Sequence, residues 1–146
     1  MKPSIPKGTR DFTPSEVCLR NFLKEKIKLN FGLFGFEPIE TPSFEKLEII
    51  GGKYGNDGEQ LIFKILSNGD KLSKADLDSF TKQNYSKFAN SISEKALRYD
   101  LTVPFSRYVV QHQNEITFPF KRYQVQTVWR ADRPQYGRFQ EFLQCD

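Results

Sequence analysis

Three arginines and an acid crowd into one short string, Trp129-Arg130-Ala131-Asp132-Arg133-Pro134-Gln135-Tyr136-Gly137-Arg138. A guanidinium fork meets phosphate oxygens in two-point geometry. One reading of the string is therefore a phosphate or nucleotide platform. The other is a solvated hairpin with a basic tip, and composition leaves both open. The flanking pattern says what must hold the string in place. Tyr123, Val125, Thr127 and Trp129 alternate with Arg122, Gln124, Gln126 and Val128, which is the period of a strand. Tyr136-Gly137 is a turn signal, and Arg138 to Gln144 reads as the returning strand.

A second chemical candidate is Asp100, in Leu97-Arg98-Tyr99-Asp100-Leu101-Thr102-Val103-Pro104-Phe105-Ser106-Arg107. The pattern is a strand leading into a helix, with Thr102 as N-cap and Pro104 in the first turn. An acid at such a strand end could hold an ammonium group or simply close the helix end. His112 is the sole histidine; no carboxylate or nucleophile accompanies it in a recognisable order, so it reads as an ordinary helix residue. Cys18 and Cys145 are far apart, without metal-ligand company, and read as reduced thiols. The glycine-rich stretch Gly51 to Gly58 lacks phosphate-loop spacing and reads as a mobile surface loop.

The remaining elements frame these strings. Thr13 can cap a helix, Pro14 suits its first position, and Glu16 can reach back to the cap. Val17, Leu19, Phe22, Leu23, Ile27 and Phe31 then form a stripe for a core or a subunit interface, and Gly32 and Gly35 end the helix. Residues 36–42 form a strand that Pro38 confines to an edge. Gln60 to Leu66 is a strand, Ser67-Asn68-Gly69-Asp70 a hairpin turn, and Lys71 and Leu72 start the return. Residues 73–95 are polar and poorly periodic; they read as a mobile insertion with a short helix from Ser73 that uses Asp76 in its first turn.

The 146 residues are 38% hydrophobic and 27% charged, which suits one globular domain, and 14 phenylalanines are enough to build its core. A net charge of +4 permits a nucleic-acid partner without demanding one. No apolar run approaches a membrane span, and the start MKPSIPKGTRDF has no apolar signal core, so a cytoplasmic protein is expected. The last residues, Gln144-Cys145-Asp146, stop inside a strand pattern, which suggests a piece of a longer protein.

The residue order is more telling than the composition. Trp129-Arg130-Ala131-Asp132-Arg133-Pro134, Gly137-Arg138-Phe139-Gln140-Glu141-Phe142 and Gln144-Cys145-Asp146 together resemble motif 2 of class II aminoacyl-tRNA synthetases, in its histidyl-tRNA synthetase form. Lys7-Gly8-Thr9-Arg10-Asp11-Phe12 resembles the opening signature of that family, without a contact that sequence can assign to Arg10 or Asp11. Residues 97–107 resemble its Leu-Arg-Tyr-Asp-Leu-Thr-x-Pro-Phe-x-Arg segment. The resemblance implies an α+β fold, a partial class II catalytic domain with an antiparallel sheet flanked by helices. Motif 1 would cover about residues 14–42 and motif 2 about residues 118–146.

It also implies roles. Arg130 would bind the α-phosphate of ATP as the catalytic arginine. Asp132 would lie near the adenine amino group, Arg138 near the distal phosphate, and Phe142 would stack on adenine. Asp100 and Thr102 would hold the α-amino group of histidine, and Gln144 would lie near that substrate. ATP and Mg2+ are implied as cofactors, the magnesium ligands lying beyond residue 146. The implied partners are histidine, ATP and tRNA(His), in a homodimer formed through motif 1. Motif 3 and the anticodon-binding domain are absent, so this piece alone is not expected to aminoacylate. The alternative is the synthetase-like regulatory subunit of ATP phosphoribosyltransferase in histidine biosynthesis.

Overall fold

The computed structural model describes residues 2–51 and 60–146. The glycine-rich stretch beyond Gly51 lies outside them. The first element is helix α1, Pro14–Leu33. The Glu16 carboxylate accepts from the Thr13 N–H and the Thr13 hydroxyl, each at 2.7 Å. These bonds hold its pKa below the usual carboxylate range. At the far end Gly35 has φ +71°, and the N–H groups of Phe36 and Gly35 return to the carbonyls of Phe31 and Gly32. That is a Schellman close, so Gly35 ends the helix while Gly32 lies inside it.

Strand β1, Glu37–Pro38, pairs in parallel with β5, Arg122–Tyr123, at an edge that tolerates Pro38. Strands β2 (Phe44–Lys46), β4 (Lys95–Leu97) and β3 (Lys64–Ile65) form an antiparallel group in the order β2-β4-β3. Strands β6, Val125–Trp129, and β7, Glu141–Cys145, form the expected hairpin, with Gln126 opposite Gln144 and Trp129 opposite Glu141. Main-chain bonds join the groups: Trp129 N–H to Arg98 carbonyl at 2.9 Å, and Ala131 N–H to Leu61 carbonyl at 2.9 Å.

Two local expectations need correction. Ser67–Asp70 does not turn into a returning strand. Gly69 takes φ +65° and opens a 3-10 helix, Gly69–Lys74, so β3 finds its partner in β4, whose first residue, Lys95, is the last of the 73–95 stretch. Within that stretch the chain forms helix α3, Leu77–Thr81, and helix α4, Tyr85–Ser91. Asp76 is the N-cap of α3, not a residue inside a helix from Ser73, and Asn84 caps α4.

Helix α2, Leu47–Gly51, completes the packing around a mainly aliphatic core of Ile50, Ile62, Ala96 and Val103 with the ring of Tyr99. The expected phenylalanine core does not form. No phenylalanine among the described residues is fully buried; Phe22 and Phe34 line α1 and its end, and Phe80 lies on α3, all exposed. Their positions follow helix faces that the aliphatic layer does not reach.

Two arginines brace this frame. Arg107, on helix α5 (Thr102–Gln111), makes a forked pair with buried Glu45 of β2, its Nε 2.8 Å from Oε2. Arg98 is 2% exposed and has no carboxylate in hydrogen-bond contact among the described residues. Its guanidinium donates instead to the carbonyls of Thr127 (2.9 Å), Thr41 (2.6 Å) and Pro42 (3.0 Å). Replacing Arg107 would leave Glu45 a buried, unpaired charge. Arg107→Ala should therefore lower stability by roughly 3–5 kcal/mol, and Arg107→Ala with Glu45→Gln by clearly less. Urea titration of the four-member cycle checks this; additive losses would mean that the pair is not coupled.

Candidate active site

The hairpin brings its chemistry together where β6 passes into its loop. Arg130 follows Trp129 at the end of the strand, and its N–H is bonded to the Gln140 carbonyl at 2.8 Å. That bond continues the β6–β7 ladder by one step. The Arg130 Nε donates to the Tyr99 carbonyl at 3.0 Å. Its guanidinium carbon lies 5.1 Å from the centre of the Phe142 ring. The arginine is thus held from two sides, by a carbonyl and by an aromatic face.

Asp100 follows Tyr99 directly, so the contact that anchors Arg130 also sets Asp100 beside it. Burial pushes the Asp100 carboxyl above the usual carboxylate range. The Val103 and Thr102 N–H groups and the Arg130 charge pull the other way, and Asp146 adds to the rise. Asp100 is therefore an acid whose charged form a cation would stabilise. Thr102 is the first residue of α5 and is exposed; Leu101 occupies the cap position. The expected Thr102 cap is replaced by a 3.4 Å contact from the Val103 N–H to Asp100.

Asp132 and Arg138 face each other across the loop at 2.9 Å, Asp132 largely buried and Arg138 mostly exposed. Gly137 takes φ +75° in the turn that lets the loop fold back. Phe142 and Gln144 share one face of β7 by alternation. The Gln144 Oε1 is buried and has no donor among the described residues. A buried acceptor of this kind suits a ligand N–H.

The structure thus gathers Arg130, Asp100 and Phe142, pairs Asp132 with Arg138, and places Gln144 on the Phe142 face. Thr102 contributes backbone more than side chain. His112 is the C-cap of α5, bonded through Nδ1 to Glu115 at 3.1 Å and packed on Tyr108, away from these residues.

Sequence reasoning missed what holds the loop. Gln140 donates its N–H to the Gly8 carbonyl at 2.8 Å and its Nε2 to the Asp132 carbonyl at 2.9 Å. Arg10 lies over the rings of Phe12 and Phe139, at 4.4 and 4.7 Å. A glycine set between Lys7 and Thr9 was a visible signal for a close approach, but its distant partner was not.

Set beside solved structures, the chain superposes on the histidyl-tRNA synthetase of Nostoc sp. PCC 7120 with a TM-score of 0.69 and 32% identity, over 97% of this chain and 27% of that one. It also superposes on an ATP phosphoribosyltransferase regulatory subunit/histidyl-tRNA synthetase from Bacillus halodurans C, with a TM-score of 0.70 over 99% of this chain and 32% of that one. At 23% identity the second likeness shows the fold alone. The architecture is that of a partial class II aminoacyl-tRNA synthetase catalytic domain. No protein-family model matches the chain. Its sequence is 67% identical over 145 residues to the histidine–tRNA ligase of Christiangramia forsetii, covering 99% of this chain and 32% of that protein. The corresponding protein of Porphyromonas gingivalis is 57% identical over 145 residues, with the same shares covered. Over nearly its whole length the chain matches part of the histidine–tRNA ligases, and it spans about a third of the length of the curated relatives it matches.

The Asp100 environment yields a pH test. A raised folded pKa means that the folded state binds more protons than the unfolded one, so stability falls as pH rises through the usual carboxylate range. Asp100→Asn keeps an acceptor for the Val103 N–H and removes the charge. The variant should match or exceed the parent in stability at neutral pH, with the gap closing in acid. Urea unfolding at both pH values checks it; a variant weaker at neutral pH would mean that Arg130 outweighs the burial.

Proposed function

We propose that this chain forms the ATP- and histidine-binding part of a histidine–tRNA ligase. The reading rests above all on the seating of Arg130 on the Tyr99 carbonyl, which sets a cationic phosphate ligand beside the acid Asp100. Identity of 67% to a named histidine–tRNA ligase supports it.

In this reading the substrate's ammonium group binds Asp100, relieving the burial of its charge, with help from the Thr102 segment. Gln144 accepts from a substrate N–H. Arg130 binds the α-phosphate, Arg138 the distal phosphate, and Asp132 accepts from the adenine amino group. Phe142 serves as the aromatic floor on which adenine stacks and Arg130 rests. A carboxylate oxygen of histidine attacks the α-phosphorus, the bond to the bridging oxygen breaks, and pyrophosphate leaves. The chemistry needs in-line positioning and charge neutralisation, and Arg130 supplies both. The histidyl group then passes to tRNA(His).

Among the described residues no three His, Cys, Asp or Glu side chains cluster as a metal site. In this reading magnesium comes with ATP, and no residue of this chain is assigned as its ligand. The exposed stripe of α1, with Phe22, Leu23 and Ile27, supports a homodimer through this helix. Residues 73–95 remain an insertion in this scheme. No described helix is long and apolar enough to cross a membrane, and a cytoplasmic site of action goes with the proposed substrates. The regulatory-subunit alternative has fold likeness alone behind it.

Histidine-dependent ATP–pyrophosphate exchange by the intact protein tests the reading. Arg130→Ala should lower exchange by about 10²–10³-fold, the loss expected for one charge-assisted transition-state contact. Exchange untouched by the substitution would remove Arg130 from the chemistry. An intact protein that binds histidine without any exchange would favour the regulatory alternative.

A further inference from the structure

The N-terminal string Lys7 to Phe12 has no role in the reaction scheme, yet it lies against the loop that carries Arg130 and Asp132. Thr9 closes a turn on Pro6, its N–H and hydroxyl both reaching the Pro6 carbonyl, at 3.2 and 2.8 Å. Gly8 takes φ +85° within that turn, a conformation costly for any residue with a Cβ. The turn directs the Gly8 carbonyl to the Gln140 N–H at 2.8 Å. It also brings the Gly8 backbone close to the Gln140 side chain: a Cβ at Gly8 would stand 2.7 Å from Gln140 Cγ and 2.9 Å from its Oε1.

Gln140 is therefore fixed on three sides. Its N–H is taken by Gly8, its carbonyl by the Arg130 N–H at 2.8 Å, and its Nε2 by the Asp132 carbonyl at 2.9 Å. A stack of alternating cations and rings ties the same turn to α1. Arg20 lies 3.9 Å from the Phe12 ring centre, Arg10 lies 4.4 Å from Phe12, and Arg10 continues 4.7 Å from Phe139, the neighbour of Gln140.

We propose that Gln140, seated by Gly8, is a positioning residue for ATP: it sets the backbone of Arg130 and Asp132, and the Arg10 stack keeps the turn in place. The inference rests on the ligase reading for its kinetic consequence and on geometry alone for its structural one. Gln140 is assigned no substrate contact. It bonds the loop at Arg130 and Asp132, the residues assigned to ATP, and makes its side-chain bond on that side.

The test uses the intact protein with Gly8→Ala, Gln140→Ala and the double variant. Gly8→Ala should raise KM for ATP about tenfold while KM for histidine stays within about twofold, since a shift of about 1 Å in a positioned group is enough for such losses. Gln140→Ala should show the same split. The double variant should lose less than the sum of the two single losses, because Gln140→Ala removes the Cγ and Oε1 that the new Cβ meets first, while the Cβ of residue 140 at 3.0 Å and the cost of φ +85° remain. Equal damage to both KM values, or additive losses in the double variant, would overturn the proposal. Trypsin supplies a readout independent of catalysis. Arg130 and Arg138 are cleavable sites in the loop, whereas Arg133 is guarded by Pro134. Under native conditions where both proteins stay folded, Gly8→Ala should be nicked there faster than the parent by more than its loss of global stability accounts for, and unchanged nicking would overturn the clamp. A parent that shows no exchange would overturn the ligase reading, while the nicking rates still decide the clamp.

Discussion

The buried guanidinium of Arg98 is the constraint on which the rest depends. It lies in β4's continuation, yet it bonds to carbonyls from the segment after β1 and from β6. Burial draws its pKa down, and the charges of Glu40 and Glu45 oppose that. A buried cation without an ion-pair partner is tolerable only when several acceptors converge on it. The acceptors here are main-chain oxygens, which cannot move without moving their strands. Thr41, Gln124 and Gln126 complete the network, with Gln124 Nε2 bonded to Thr41 Oγ1 at 2.7 Å and Gln126 Nε2 to the Thr41 carbonyl at 3.2 Å. Three small strand groups, each too short to stand alone, are thereby held at one mutual setting. Arg130 directly follows β6 and Asp100 lies three residues after β4, both strands that this network grips.

The candidate site inherits its order from that setting. Arg130 is aimed by a main-chain carbonyl and a ring, not by a carboxylate. Among the described residues no direct ion pair neutralises its charge, a favourable state for a group meant to meet phosphate. Asp100 shows the complementary condition: an acid kept partly from water next to that cation, with Asp146 nearby raising its pKa further. Groups held in such tension mark places where a ligand, and not the protein, supplies the final compensation.

What was legible in the sequence was local. The hairpin announced itself through the alternation of residues 122–129 and the Tyr136-Gly137 turn, and the capping of α1 through Thr13 and Glu16. Ordered motifs pointed to Asp100, Arg130, Asp132, Arg138, Phe142 and Gln144, and the structure brings most of them into one region. What was hidden was non-local. Asn68-Gly69 has the chemistry of a tight hairpin turn, but the competing 3-10 helix won because β3's true partner comes after α3 and α4. Phenylalanines read as core because periodicity cannot say which face another layer will cover. Gly8 and Gln140 lie far apart in the chain, so no spacing rule could join them. Arg98 read as one residue of a motif, and only the fold reveals that it binds three carbonyls.

The excursion between β3 and β4 carries a consequence of its own. Ser67 N–H bonds to the Ile92 carbonyl at 2.8 Å, so the segment leaves and re-enters the body through a closed neck. Lys71 and Glu94 pair across that neck as well. Beyond such a closure, doubling the length of a flexible loop adds only about 0.6 kcal/mol of closure entropy. The sheet consequently senses the neck and not what hangs from it. The α3–α4 pair could therefore be lengthened, trimmed or replaced with little effect on the register of β4 and, through it, on Arg98 and Asp100.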